Sequence, residues 1–170
     1  MKWIGALLFI SITTWIGIEW SLKLSQRPVQ IRQVKNALQM LEAEMLYSQL
    51  TLQEAFLVMA KRLPQPTAQF FQSLAERMNK PSADFVELWD KSLDEFIYES
   101  KLGVNEKDIL RQFGRTLGQH DFYQQQKHIH LTITHLDREL EDARDQQLKY
   151  EHMARSLGFL FGLFIVLLLI

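Results

Sequence analysis

The apolar residues of this chain are concentrated at its two ends. Residues 3–18 contain no charged side chain, and residues 157–170 contain none either. An apolar run of about 20 residues has the length that crosses a lipid bilayer as a helix. The pattern therefore predicts an N-terminal transmembrane anchor over residues 1–23 and a C-terminal transmembrane anchor over residues 156–170.

The N-terminal run also fits a signal peptide that is removed after export. A signal peptide ends in small residues at its cleavage site, whereas Glu19, Trp20 and Ser21 follow the apolar run here. Because this cleavage pattern is missing, a retained anchor is the favoured interpretation of the first segment.

The C-terminal run is short for a membrane span. As a helix it covers only about 21 Å of a hydrocarbon core that is roughly 30 Å thick. A helix that extends back past Arg155 reduces this mismatch, because the long arginine side chain reaches the headgroup layer. Within the run, Gly158 and Gly162 form a G-x-x-x-G pair. This pair predicts close packing against another transmembrane helix.

Basic residues flank both predicted anchors on the side of the central segment, residues 24–155. They are Lys23, Arg27, Arg32, Lys35, Lys149 and Arg155. On the other side of the anchors the chain carries only Lys2. Cytoplasmic flanks of membrane spans are enriched in lysine and arginine, so the pattern predicts a cytoplasmic central domain with both chain termini across the membrane.

In the central segment, apolar residues recur at steps of three and four, which is the period of an α-helix. Prolines, glycines and polar turn residues interrupt this pattern five times. The predicted helices end near Tyr47, Pro64, Asn79, Gly103 and Gly118. No stretch alternates with the period of two that is typical of a strand. The central segment therefore predicts a bundle of six helices, counting the one that follows Gly118.

Side chains that can cap helix starts precede several of these helices. Thr51 and Glu54 form a capping box, in which the hydroxyl and the carboxylate each satisfy a free backbone N–H. Ser82 and Asn105 are candidate caps for the fourth and fifth helices, and Asp121 for the last. These positions predict where the chain turns between helices.

The last helix has the most regular pattern of the chain. Apolar or aromatic residues spaced by seven form one row: Phe122, Ile129, Leu136, Ala143, Tyr150 and Leu157. Such a heptad row needs a long helical partner, either the first helix of the same chain or a helix of a second copy. The row runs into the C-terminal anchor without a break. The predicted fold is therefore all-α: a six-helix bundle between two transmembrane helices, with the last helix continuous with the second anchor.

Composition narrows the function classes. The chain has 170 residues, a net charge of -1 and no cysteine. Lysines and arginines alternate with aspartates and glutamates, so there is no basic stripe for nucleic acid. Without cysteine, a disulfide framework and a thiolate zinc site are excluded. We expect a protein that lies at a membrane and binds no nucleic acid.

No chemical motif identifies an enzyme. The chain lacks a P-loop, a dinucleotide fingerprint and a nucleophile elbow. His128, His130 and His135 are not spaced by three or four, as two histidines that chelate one metal from a helix are. We therefore expect no catalytic residue, no metal and no cofactor. The alternative is a membrane-tethered hydrolase with an unmarked active site, which requires a pocket with converging carboxylates.

Short stretches along the whole chain match the sequence pattern of one known family. In the first half they are Arg27-Pro28, Gln30-Ile31-Arg32, Ala37-Leu38-Gln39, Leu41-Glu42-Ala43-Glu44 and Leu52-Gln53-Glu54-Ala55. In the second half they are Phe113-Gly114, Thr116-Leu117-Gly118-Gln119-His120-Asp121, Gln126-Lys127-His128-Ile129 and Ser156-Leu157-Gly158-Phe159-Leu160. With these stretches in the same order from one end to the other, the chain resembles the stage III sporulation protein AB family of endospore-forming bacteria.

The resemblance implies a component of the channel complex between mother cell and forespore, placed in the mother-cell membrane that faces the forespore. The soluble part of the family is similar to the cytoplasmic domain of the platform protein of type II secretion and type IV pilus machines. The resemblance therefore implies a non-enzymatic platform that contacts a cytoplasmic secretion-type ATPase and other stage III sporulation channel proteins. Platform proteins have two such domains, whereas this chain has one.

Two features of the assembly stay open at the level of the sequence: the surface that binds partners, and the number of copies of the chain. Gln119 and His120, on the loop before the last helix, are candidate partner contacts, because neither is needed to cap or end a helix. The heptad row closes either within one chain, or between two chains in a homo-oligomer.

Overall fold

The structure is a computed structural model that describes residues 26–48, 50–79, 84–117 and 122–169, and beyond Met153 only the course of the backbone. Within these ranges, every regular element is a helix, and no strand is present. The predicted all-α fold with six helices is therefore confirmed for the part of the chain that the structure describes.

The helices follow one another with short connections. The first, α1, covers residues 26–43 and continues as a π-helical turn, Glu44–Ser48. The others are α2 (Leu52–Arg62), α3 (Thr67–Arg77), α4 (Phe85–Glu99), α5 (Val104–Thr116) and α6 (Phe122–Leu169). As its heptad pattern indicates, α6 is a single helix, of 48 residues.

The two membrane anchors remain predictions. Residues 1–23 lie outside the described ranges, and residues 156–169 are the last part of α6. Among the described residues, no helix combines the length and the apolar character that a membrane crossing requires.

The chain divides into two compact units, of which the larger is Val29–Glu141. In this unit α1 and α6 run antiparallel: the Lys35 ammonium forms an ion pair with Asp137, and the Gln126 side-chain amide donates to the Glu42 carboxylate at 2.9 Å. Ile129 and Leu136 of the heptad row are buried in this unit, and so are Ile133 and Leu140, each four positions after one of them. The heptad row of α6 therefore faces α1 of the same chain.

The smaller unit consists of the residues up to Pro28 and those from Asp142 onward. In it the Arg27 guanidinium donates to the side-chain oxygen of Gln146 at 3.3 Å. Ala143 is buried, whereas Tyr150 is about half exposed.

An aromatic cluster around Trp89 joins α2, α3, α4 and α5. The Trp89 ring lies edge-on to Phe70 at 5.2 Å and to Phe113 at 5.7 Å between ring centroids. The indole N–H donates to the Leu110 carbonyl oxygen at 2.9 Å, so the polar atom of this buried ring is satisfied. Edge-on pairs of this kind stabilise by roughly 1 kcal/mol beyond the buried area. The cluster fixes the positions of α3 and α4, whose outer faces matter below.

Local caps set the start of α2. The Thr51 hydroxyl accepts from the Glu54 backbone N–H at 3.3 Å, and the Glu54 carboxylate accepts from the Thr51 backbone N–H at 2.9 Å and from its hydroxyl at 2.7 Å. This is the capping-box arrangement. The bond from the Thr51 hydroxyl to the Glu54 carboxylate, and after it the bond from the Thr51 backbone N–H, hold the pKa of Glu54 below its ordinary value.

The starts of α4 and α5 differ from the prediction. Ser82 lies outside the described residues, and the Asp84 carboxylate accepts from the Val86 backbone N–H at 3.2 Å instead. The residue that caps the start of α5 is Gly103, whose backbone N–H donates to the buried Glu106 carboxylate at 2.8 Å. The expected cap, Asn105, donates to Glu139 of α6 at 3.2 Å.

The lowered pKa of Glu54 makes the effect of Thr51→Ala depend on pH. A carboxylate whose pKa is lower in the folded than in the unfolded protein stabilises above its unfolded pKa, and this contribution is lost as pH falls through the folded pKa. We expect Thr51→Ala to lower the melting temperature by roughly a few degrees at pH 7 and by less at about pH 3.

Thr134→Ala is the matched control for this experiment, because the Thr134 hydroxyl donates to the His130 backbone carbonyl of its own helix and, among the described residues, to no carboxylate. Its effect on the melting temperature should be the same at both pH values. A loss at Thr51 that is equally large at both pH values would show that the Glu54 carboxylate does not contribute.

Candidate interaction surface

The basic residues predicted to flank the anchors have different environments. Lys23 lies outside the described residues, and Arg27 binds Gln146 as given above. Arg32 and Lys149 are exposed. Lys35 is only 16% exposed, because its ammonium is engaged by Asp137 across the α1–α6 contact. Lys35 therefore holds two helices of the bundle together.

The other residues singled out in the sequence lie at the margins of the described structure. Gln119, His120 and Asp121 fall outside the described residues. Gly158 and Gly162 belong to the backbone of α6, as does Arg155. Contact of Gln119 and His120 with a partner therefore stays a prediction.

A groove lies on the surface of the larger unit, between the start of α3 and the end of α4. It is open to solvent, and the space of about 250 Å³ around its lining includes part of that solvent. From the α3 side it is lined by Pro66, Gln69, Phe70 and Ser73. From α4 it is lined by Ser92, Glu95, Phe96 and Glu99. Phe70 and Phe96 are buried, with ring centroids 5.1 Å apart, and form its apolar part.

At one end of this groove an arginine already joins the two helices. Arg77, at the end of α3, donates to the Ser92 hydroxyl at 2.8 Å. Its second terminal nitrogen contacts both carboxylate oxygens of Glu95, at 2.8 Å and 2.6 Å. Ser92 is 2% exposed, so the guanidinium also satisfies a buried hydroxyl. This end of the groove can therefore bind a guanidinium group.

The opposite edge of α4 is neutralised by α5. Asp94 accepts from the Lys107 ammonium at 2.9 Å and from Arg111 at 3.1 Å. The hydrogen bond from Lys107 is the largest of the effects that hold the pKa of Asp94 below its ordinary value. Arg111 also lies 3.5 Å from Asp90. Both carboxylates on this edge therefore have cationic partners.

Negative charge is concentrated in the α3–α4 hairpin as a whole. Residues 67–99 contain seven carboxylates and three basic residues, so their net charge is -4, in a chain whose total is -1. Within the described part of the chain, Glu99 has no cationic partner, and only the Gln69 amide donates to it, at 3.4 Å. Of the two carboxylates that line the groove, Glu95 is paired with Arg77, and Glu99 is the one without a cationic partner among the described residues.

The sequence reading missed this groove. The excess of acidic residues over residues 67–99 can be counted in the sequence. Which carboxylates are neutralised depends on how α3, α4 and α5 pack, and that information is not local. Histidines contribute no comparable site: in the described residues, no three histidine or acidic side chains come together as a metal site requires.

Comparisons with known proteins place the chain beside members of one family. The family model described as "Stage III sporulation protein AB (spore_III_AB)" matches residues 2–170. A stage III sporulation protein AB from Bacillus subtilis (strain 168) is 42% identical over 169 residues, which cover 99% of this chain and 99% of that protein.

A solved structure of a stage III sporulation protein AB has a similar fold. It aligns with a TM-score of 0.68 and 40% sequence identity, and the match covers 73% of this chain and 98% of the solved chain. A family match over almost every residue, supported by a relative above 40% identity and by a common fold, establishes the family. This chain belongs to the stage III sporulation protein AB family.

Proposed function

We propose that this chain is a non-enzymatic platform of the channel complex between mother cell and forespore, and that endospore formation requires it. The observation that carries the proposal is the match to a named sporulation protein along 99% of both chains. The chemistry on its surface supports it, because Asp94 and Glu95 of α4 are engaged in ion pairs that hold α5 and α3 against α4.

The proposed location is the mother-cell membrane that faces the forespore. The apolar segments 1–23 and 156–170 are the proposed anchors, and the basic flanks put the helical bundle in the cytoplasm. A continuous α6 supports this arrangement, because it joins the bundle to the second apolar segment without a flexible linker.

The proposed partners are a cytoplasmic secretion-type ATPase and other stage III sporulation channel proteins. The resemblance to secretion platforms motivates the choice. A rigid helical bundle with charged outer faces is suited to this role, because charge complementarity directs partner choice and association rate. In this proposal no residue performs chemistry, and the bundle provides a fixed binding surface at the membrane.

Purification of the tagged full chain from sporulating cells in mild detergent tests the proposed function. We expect quantitative mass spectrometry to show enrichment of the ATPase and of at least one channel protein by about tenfold or more over a control. The control is an unrelated two-span membrane protein with the same tag. Recovery of neither the ATPase nor any channel protein above the control would contradict the proposal.

A further inference from the structure

We propose that the groove between α3 and α4 binds an arginine or lysine side chain of a protein partner. The inference rests on the proposed function in one respect, namely that the bundle is a binding surface for proteins. It goes further because it assigns that surface to named residues and gives the chemistry of the partner. The occupant is a basic side chain, and Glu99 is the residue that we expect to pair with it.

The groove repeats, one helical turn further along, an arrangement that already binds a cation. At one end Arg77 lies against Ser92 and Glu95. One turn later on α4, the corresponding positions are Phe96 and Glu99, since residues four apart share a helix face. The carboxylate is thus repeated at Glu99.

The basic residue is not repeated on α3. One turn before Arg77, and two turns before it, the same face of α3 carries Ser73 and Gln69. Gln69 reaches Glu99 only through a long hydrogen bond of 3.4 Å. The groove therefore has a carboxylate and an open volume at the position where a second basic side chain would complete the pattern.

The apolar part of the groove suits the stem of such a side chain. Arginine and lysine carry three or four methylene groups, which favour apolar surface while the charged head stays at a polar rim. Phe70 and Phe96 line the groove and provide the small exposed part of this surface.

Charge distinguishes a protein partner from the other candidates. Residues 67–99 carry a net charge of -4, and the α5 edge of α4 is already neutralised by Lys107 and Arg111. Lipid headgroups and nucleic acids present phosphates, which this surface repels. A protein surface with exposed arginine or lysine is the class of partner that the groove complements.

Site-specific photo-crosslinking in sporulating cells tests the inference. A benzoylphenylalanine is placed at Gln69 of the full chain, which is exposed and lies on the rim of the groove. We expect a cross-link to a protein, with the linked peptide containing an arginine or lysine. In the same background, Glu99→Lys should reduce the cross-link about fivefold or more, since the loss of one close charge pair and the added repulsion weaken binding.

Glu87→Lys is the matched control, because Glu87 is an exposed carboxylate of the same helix that does not line the groove. It should leave the cross-link unchanged. Reversal of the linked basic residue to glutamate in the partner should restore the cross-link to Glu99→Lys. Both chain variants replace exposed side chains, so equal melting temperatures check that they fold.

Three results would overturn the inference: an undiminished cross-link in Glu99→Lys, a cross-link only to lipid, or one only to a second copy of this chain. These results are distinct from a failure of the proposed function. If the ATPase and channel proteins still co-purify with Glu99→Lys while the groove yields no protein cross-link, only the groove assignment is wrong. If they do not co-purify with the unaltered chain, the proposed function itself is wrong.

Discussion

Gly114→Ala is expected to lower the free energy of unfolding of the larger unit by about 3 kcal/mol. A Cβ atom at position 114 would lie 2.2 Å from Cδ1 and 2.3 Å from Nε1 of Trp89. These distances are far inside van der Waals contact, and the ring cannot move away easily because it is 1% exposed. Overpacking of a core by one methyl group costs typically about 1 to 3 kcal/mol.

The clash also affects the hydrogen bond that satisfies the indole. The Trp89 N–H donates to the Leu110 carbonyl, one helical turn before Gly114. If the ring shifts to admit the methyl group, this buried donor is left unpaired, at a cost of about 1 to 3 kcal/mol. Alanine is the better helix former by only about 1 kcal/mol. The unfavourable contributions are larger, so the net effect is destabilising.

Urea denaturation of the full chain in mild detergent, followed by far-ultraviolet circular dichroism, measures this effect. Gln112→Ala is the control, because Gln112 is an exposed residue of the same helix and the same residue type is introduced. It should change the free energy of unfolding by less than about 0.5 kcal/mol. A Gly114→Ala protein as stable as the unaltered chain would show that Trp89 repacks at little cost.

Features of the fold that depend on residues close in sequence could be predicted. The helical periods depend on spacings of three and four, and they located all six helices. The capping box needs only Thr51 and Glu54, three positions apart, so its hydrogen bonds follow from a local pattern. The heptad row of α6 is local as well, and it identified a continuous helix that requires a long partner.

Features that depend on packing between helices could not be predicted. Asn105 is a good cap by residue type, but Glu139 of α6 lies within its reach and Glu106 satisfies the N–H of Gly103 instead. Lys35 was grouped with the basic flank of an anchor, whereas its ammonium pairs with Asp137, 102 positions away. The close approach of Gly114 to Trp89 likewise joins two helices.

In the candidate site, too, local features could be predicted and features that depend on packing between helices could not. The acidic residues of α4 can be read from the sequence, but which of them are paired with a cation is known only from the packing of the helices. Asp94 is neutralised by α5 and Glu95 by Arg77, while Glu99 has only the Gln69 amide as a partner within the described residues. Equivalent residue types thus have different functions because different helices lie beside them.

Leu136→Ala is the second substitution with a large expected effect, and it tests whether the α1–α6 contact holds the bundle together. Leu136 is a heptad residue of α6 and is 1% exposed. Truncation of a fully buried leucine removes its transfer free energy and leaves a cavity, at a cost of about 2.7 to 5 kcal/mol in a well-studied series. We expect a loss of about 3 kcal/mol in the free energy of unfolding.

The same helix provides a matched control. Leu131 lies on the outer face of α6 and is 46% exposed. Leu131→Ala makes the identical chemical change with the identical effect on helix propensity, so the difference between the two variants reports burial alone. We expect it to cost less than about 1 kcal/mol, because much of its surface already faces water.

The dependence of stability on protein concentration shows whether Leu136 is buried by α1 of the same chain or by a second copy of the chain. In the structure the Lys35–Asp137 and Glu42–Gln126 contacts place α6 against α1 of the same chain. Unfolding within one chain is independent of concentration, whereas unfolding coupled to dissociation of two copies is not. The urea midpoints of Leu136→Ala and of the unaltered chain should therefore stay constant over about a hundredfold range of concentration. A midpoint that rises with concentration would show that the heptad row of α6 also packs between two copies of the chain.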